Sequence, residues 1–405
     1  MTTISITGIG VISSLGIGRE AFWEGCLAAQ SGVRQITTFD TESYGTNVAA
    51  CVIDFKPAKF MSPMIYRRMS RISRMAVAAS IEAVEDSGLC LDRMNRERVA
   101  VVMGTSYGSS SHVDGFYQSL LADGPRGAQP LLFPETVPNA PAGHISIYHH
   151  IQGPNATFCQ NEISAETGMA YARSLLESNI VDVALVGGAE ELSEILFGCY
   201  DAVGGLNKLR VTEGDDIQPK PGGGLILGEG AAVLIMERKE SARQRGAKIY
   251  GNLVSDIIAG GVSAMGHYAT HGQQIAGAIV RSMEKAGIQP GNIDHVSVSA
   301  NYAKELDRME YEQIASCFQC SHRELWVSPL KYLIGDFGAA GTTRAAAVLL
   351  SLYHQVSLPE IPISGLIEKE EKPLAWKSHR NRKIQTALMT STTFGGGTAS
   401  IIFSR

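Results

Sequence analysis

The chain has 405 residues, with 35 Lys and Arg against 40 Asp and Glu, a formal charge of −5. Hydrophobic residues make up 44% and charged residues 19%, which excludes intrinsic disorder and provides for a substantial core. A mildly acidic chain without blocks of Lys or Arg also excludes a general nucleic-acid or membrane-surface binder.

At about 150 residues per domain, this length suits two or three domains or one large duplicated fold. Ile4 to Gly10 reads as a short buried strand running into a tight glycine turn. Gly8-x-Gly10 is part of a dinucleotide fingerprint, but Ser13 stands where its third glycine belongs. A periodic helix follows from Met69 to Ser87 and stops at Gly88. Its residues Ile72, Met75, Ala76, Ala79 and Ala83 share one face. A buried strand runs from Val99 to Met103, and a helix from about Glu166 to Glu177. Val181 to Val186 and Ala231 to Met236 are apolar strands, and Lys239 to Arg245 starts a helix.

The alternation then begins again. Ile249 to Val254 is a strand, Gln273 to Ala286 a helix, Val296 to Ala300 a strand and Leu306 to Phe318 a helix. Ala339 to Tyr353 is an alanine-rich helix, and Thr386 to Met389 and Ala399 to Phe403 are two strands around a glycine turn. Alternating helices and short apolar strands make an α/β protein with a largely buried sheet. The pattern breaks near 245–250 without a low-complexity linker. The expected organisation is two halves, 1–247 and 248–405, packed as one body.

The seven cysteines, at 26, 51, 90, 159, 199, 317 and 320, are odd in number and scattered, which suits reduced thiols in a cytoplasmic protein. Cys317-Phe-Gln-Cys320 has no second pair at metal spacing, so no metal is expected. No apolar run approaches the ~18 residues of a membrane span. The first residues lack the basic and apolar regions of a secretory signal, so none is expected.

Several segments together resemble the β-ketoacyl synthase family of the thiolase superfamily. They are Ile6-Thr-Gly-Ile-Gly10, Arg74-Met-Ala-Val-Ala-Ala79, Pro138-Asn139-Ala-Pro-Ala-Gly143-His-Ile-Ser146 and Gly153-Pro154-Asn155. Val186-Gly-Gly-Ala-Glu190, Gly228-Glu229-Gly230-Ala231, Lys331 with Gly335 and Gly338-Ala-Ala-Gly341, and Phe394-Gly395-Gly396 continue the set. The resemblance runs in order over essentially the whole chain. It implies a duplicated five-layer α-β-α-β-α thiolase-like fold. It also implies a dimer joined edge to edge near the strand after Gly153-Pro154. The implied chemistry is decarboxylating condensation of an acyl chain with malonyl units on acyl carrier protein, with no cofactor.

That chemistry needs a thiolate to hold the acyl chain, and a helix N-terminus favours such an anion. It also needs donors for the enolate charge that builds as CO2 leaves, for which the family uses two histidines. Counting from Gly153-Pro154, the family's cysteine falls at Glu162. The first histidine falls at Asn301, ahead of Asp307 and Glu310. The second follows a Lys-x-x-x-Gly pattern, here Lys331 to Gly335, and falls at Asp336. A carboxylate at 162 carries no thioester, and an ionised Asp336 would repel an enolate. Cys159, three residues earlier, falls in the preceding strand, away from the helix start. His149 and His150 fall at a surface-helix end, and His267 and His271 in loops.

A ketosynthase fold without its triad resembles the ketosynthase-beta subunit, or chain length factor, of type II polyketide synthases. Glu162 departs from the glutamine usual there. The resemblance implies a heterodimer with a catalytic ketosynthase-alpha subunit and work on a polyketide carried by the phosphopantetheine of acyl carrier protein. It also implies a tunnel whose floor sets product length. The residues matching the gating region are Ser110, His112, Phe116 and Tyr117, with Gly198 facing them. Lys331 and Phe394-Gly395-Gly396 are retained family positions, read as a charge partner for Asp336 or Glu162 and as a glycine turn of close backbone approach. The competing expectations are a homodimeric condensing or malonyl-decarboxylating enzyme with a rearranged triad, and a homodimeric acyl-binding scaffold.

Overall fold

Each half of the chain lays down its strands in the same order. The computed structural model describes residues 2–212, 214–215, 217–264, 266–268, 271–319, 325–359, 361 and 383–405. In the first half the main strands are β1 (Ile4–Ser13), β2 (Val99–Gly104), β3 (Asn155–Phe158), β4 (Val183–Glu190) and β5 (Gly230–Arg238). In the second they are β6 (Gly251–Ala259), β7 (His295–Ser297), β8 (Trp326–Ser328), β9 (Thr386–Thr392) and β10 (Thr398–Ser404). Among the described residues they form one sheet ordered β8-β7-β9-β10-β6-β1-β5-β4-β2-β3. β2 pairs in parallel with β3 and β4, and β7 does the same with β8 and β9. Both halves then turn antiparallel, β4–β5–β1 and β9–β10–β6. β1 and β6 join the halves through Ile4–Leu253, Ser5–Asn252 and Ile6–Gly251.

The main helices are α1 (Arg71–Ser87), α2 (Ser110–Asp123), α3 (Ser164–Glu177), α4 (Glu194–Ala202), α5 (Gln273–Ala286), α6 (Lys304–Phe318) and α7 (Ala340–His354). α1 covers the outer face of β1, β4 and β5, and α5 covers β6 and β10 with α6 beside it. α3 and α7 lie between the two halves, which completes the five layers of a thiolase-like fold. The alanine-rich sequence of α7 suits this place, because small side chains let strands approach it from several sides. All but its last two residues are buried.

α1 is capped by the Ser70 hydroxyl, which accepts from the Ser73 N–H at 3.3 Å, and it ends at Gly88 with φ 65°. Its close seat against β1 accounts for Gly8 and Gly10. A Cβ at Gly10 would stand 2.0 Å from the Ala79 carbonyl oxygen, and one at Gly8 2.2 Å from that of Ala83. The expected glycine turn is therefore absent. Both glycines lie inside a continuous strand, and they are small because a helix backbone presses on them.

Two features concern surfaces. β3 is an edge strand whose backbone pairs only with β2, and its residues are exposed or half-buried. α2 buries no residue at all. Leu121, Leu131 and Ile147 are 83%, 71% and 71% exposed. Among the described residues, no helix is long and apolar enough to cross a membrane. Cys317 is half-buried, but Cys320, the other half of the CxxC, lies outside the described residues.

Candidate functional site

Three loops converge where β3 hands over to α3. After β3 the chain passes Cys159, turns at Asn161 with φ 50°, and places Glu162 just ahead of α3. Glu162 is buried. The second loop leaves β7 and carries Asn301. Its backbone is held by two buried carboxyls on α6. Glu310 accepts from the Ser299 N–H at 2.8 Å through both oxygens, and Asp307 accepts from the Asn301 N–H at 2.8 Å. The Tyr332 and Thr390 hydroxyls complete those carboxyls at 2.6 and 2.5 Å. The third loop begins with the short helix Lys331–Ile334 and turns at Gly335 with φ 73°. A Cβ there would meet the Gly228 backbone and the Ala50 side chain at 2.8 Å, so Gly335 and Gly228 are a matched close approach. The turn brings Lys331 Nζ to 2.7 Å from Asp336 Oδ1, with both groups buried.

Asn301 Nδ2 donates to Asp336 Oδ2 at 2.5 Å and to the Tyr268 hydroxyl at 3.1 Å. A side-chain amide has two protons to give, so both are already engaged. The Asn301 oxygen accepts from its own loop, the Ala303 N–H, at 3.0 Å. Burial, then the Asp336 charge, pushes the Glu162 carboxyl up to about 7. Lys331, its own backbone N–H and the Thr393 hydroxyl oppose that rise. Glu162 Oε2 has no hydrogen-bond partner. Burial first, then the charges of Glu162 and Asp336, push the Tyr268 hydroxyl well above the ordinary range.

Glu162 and Asp336 line a chamber of about 10 Å³. That is about the space one water needs. Glu190 lines the chamber as well. This carboxyl ties down the loop after β2, accepting from the Ser106 N–H at 2.7 Å, the Thr105 hydroxyl at 3.0 Å and the Tyr107 N–H at 3.2 Å. Burial still raises it to about 8. In front lies an open cleft of about 950 Å³, whose walls include Ser110, Cys199, Tyr200, His267, Tyr268 and Phe394. Phe394 opens the glycine turn. Its ring stacks on Tyr268 at 4.5 Å, and Gly395 and Gly396 take φ 83° and 89° so that the turn fits against Gly261.

Glu162, Asn301, Asp336 and Lys331 thus meet in one cluster, with Phe394 in the cleft before it. The gating candidates spread out. Ser110 lines the cleft and pairs with the Ser193 hydroxyl at 2.7 Å. His112, Phe116 and Tyr117 follow on α2, half-buried or exposed, and Phe116 packs on Phe133 at 5.8 Å. Gly198, on α4, turns its open side to the Tyr44 ring, 3.3 Å from where a Cβ would stand. Cys159 is exposed beyond β3, and burial and Glu190 push its thiol up, away from the thiolate. Tyr107, Tyr200 and Tyr268 are site residues the sequence did not single out. Tyr107 and Tyr200 each stand within three residues of a motif glycine or gating candidate, and Tyr268 carried no signal. The cluster joins carboxyls, an amide and an ammonium, with no thiol and with both Asn301 amide protons already engaged. Among the described residues, no group of three or more His, Cys, Asp or Glu has a geometry that would hold a metal.

The β-ketoacyl synthase N-terminal domain model matches residues 1–242, and the C-terminal domain model matches residues 250–364. The 3-oxoacyl-[acyl-carrier-protein] synthase 2 of Vibrio cholerae is 30% identical over 417 residues, with 99% of each chain covered. That of Coxiella burnetii is 28% identical over 411 residues, covering 99% of this chain and 98% of its own. Among solved structures, the ishigamide ketosynthase/chain length factor superposes with a TM-score of 0.88 at 28% identity, covering 100% of this chain and 99% of that one.

Proposed function

The chain belongs to the β-ketoacyl synthase family, and we propose that within it this protein is a non-catalytic chain length factor, pairing with an active ketosynthase and shaping the cavity in which a polyketide grows. The observation that carries this reading is the state of Asn301. Both of its amide protons are committed to Asp336 and Tyr268, so an enolate oxygen would find no free proton on Asn301 and a carboxylate close behind it. Loss of one oxyanion donor costs about a hundredfold or more in rate. The cluster also lacks the thiol that would hold the acyl chain. A chamber of about 10 Å³ beside Glu162 leaves no space for an acyl chain at that position.

The surfaces support a partner. The β3 edge carries unpaired backbone groups, which favour strand addition. α2 and the segment after it expose Tyr117, Leu121, Leu131 and Phe133, and Ile147 is exposed next to Ser146, which bonds Asn155 of β3. Apolar surface of this kind marks a protein interface. The proposed partner is a catalytic ketosynthase-alpha subunit, and the proposed shared substrate is a poly-β-keto chain on the phosphopantetheine of acyl carrier protein. A dry, shaped cavity protects such a chain from water and early cyclisation. α2, with Ser110, His112, Phe116 and Tyr117, is the proposed length-setting wall. Lys331 is the charge partner of Asp336.

The relatives named as 3-oxoacyl synthases favour a second reading, a self-sufficient condensing or malonyl-decarboxylating enzyme with Cys159 as nucleophile. Co-expression with an intact ketosynthase separates the two. A one-to-one complex with acyl adducts only on the partner is the expected result. A stable lone homodimer that acquires an acyl group at Cys159 and turns over malonyl units overturns it.

A further inference from the structure

We propose that Tyr107 and Tyr200 form a hydroxyl-latched partition that shuts the open cleft off from the chamber holding Glu162. This deepens the reading above, since a chain that shapes its partner's cavity has no use for a passage into its own. Among the described residues, four side chains line both spaces: Tyr107, Leu196, Tyr200 and Leu225. Glu162, Glu190 and Asp336 line only the chamber, whereas Tyr268 and Phe394 line only the cleft. The shared four are therefore what stands between them.

Two of the four are joined by a polar bond. The Tyr107 and Tyr200 hydroxyls lie 3.1 Å apart. Each ring is fixed from behind. The Tyr107 N–H donates to Glu190, and α4, which carries Tyr200, is capped by the Ser193 hydroxyl accepting from the Leu196 N–H at 3.3 Å. The Tyr200 carbonyl accepts from the Gly205 N–H at 2.9 Å, which pins the end of that helix. Passage would require the two rings to part and their hydroxyls to give up the bond they share. Phe394 borders only the outer space, so removing it should widen the cleft without opening the chamber.

The test introduces a thiol behind the partition. The E162C/C159S protein is treated with N-ethylmaleimide, and labelling at position 162 is followed by peptide mass spectrometry. Cys199, exposed on the cleft wall, is the internal standard. The thiol at 162 is expected to label at least a hundredfold more slowly than Cys199. Adding Y200A should speed it at least tenfold, whereas adding F394A should not. Y107F/Y200F keeps both rings and removes the latch, and should give a smaller acceleration. That variant carries the test if Y200A exposes the buried Cys26 and thereby reports a lost fold. Labelling at 162 as fast as at Cys199, or acceleration by F394A but by neither tyrosine change, overturns the proposal. Co-purification of the same variants with the ketosynthase is scored separately. A lost pair with a sealed chamber refutes the functional reading alone, and an open chamber in an intact pair refutes the partition alone.

Discussion

Replacing Glu162 by Gln gives a pH-dependent gain in stability whose size follows from the site. In the fold this carboxyl titrates near 7, against an ordinary 4.5, because burial and Asp336 disfavour its charge. Between those two values the folded chain keeps a proton that the unfolded chain gives up. Wild-type stability therefore falls as pH rises through the window and levels off above it. Glutamine has the shape of the protonated acid and no proton to lose. Integrating the linkage from pH 5 to pH 8 gives the E162Q protein a relative gain of about 2–3 kcal/mol. With an unfolding entropy of about 2.1 cal/mol/K per residue, a chain of this length converts that into about 3 °C of melting temperature.

The assay is thermal unfolding of both proteins at matched ionic strength from pH 5 to pH 8. Only the difference between them is informative. Glu82 and Asp307 are also pushed up to about 7 by burial, and Glu190 to about 8, so both proteins weaken in the same range. The curves should nearly coincide at pH 5 and separate toward pH 8, with E162Q on top. A constant offset, or one that shrinks as pH rises, refutes the reasoning, because it means that Glu162 is as readily ionised in the fold as out of it.

Three further outcomes are expected. K331M strands Asp336 in the interior without its counter-charge and should cost about 3–5 kcal/mol, most of which K331M/D336N recovers; urea titration of the three proteins checks it. Phe116→Ala should lengthen the product of the reconstituted pair, read by mass spectrometry of released chains, and an unchanged length removes Phe116 from the gating wall. L121D/I147D alters side chains that are mostly exposed in the single chain, so the lone subunit should keep its melting temperature within ~2 °C while losing co-purification with a ketosynthase; retained pairing moves the interface elsewhere.

What was legible in the sequence follows from how locally each feature is encoded. The helix from Gln273 to Ala286 stands where its periodicity and Gly287 put it, since a cap and a repeat are written in consecutive residues. The strand expected over Val181–Val186 runs on to Glu190, because Gly187 and Gly188 continue the ladder with β5 when Met103 and Ala339 crowd the space their side chains would fill. Gly8 and Gly10 misled for the same reason. Their smallness serves the helix packed against them, a partner 70 residues away, and nothing beside them in the chain announces it.

The site divides along the same line. Lys331, Gly335 and Asp336 sit on one short segment, and of the two charge partners read for Lys331, Asp336 or Glu162, it is Asp336 that stands 2.7 Å away. The commitment of both Asn301 amide protons depends on Tyr268 and Asp336, which reach it from separate loops. The Tyr107–Tyr200 bond likewise spans 93 positions. Losing a catalytic residue is a local event and shows in the sequence as a wrong letter at a known place. Sealing the space around it takes side chains from several elements, and that shows only when the fold has brought them together. A chain with the wrong letters and an open chamber could recover chemistry by a few substitutions. In this one Lys331 and Asp336 form a buried ion pair beside Glu162, behind aromatic walls. On the proposed reading, placing a cysteine at 162 and histidines at 301 and 336 would take the counter-charge from Lys331 and leave the partition shut, so those three changes alone should not give condensation.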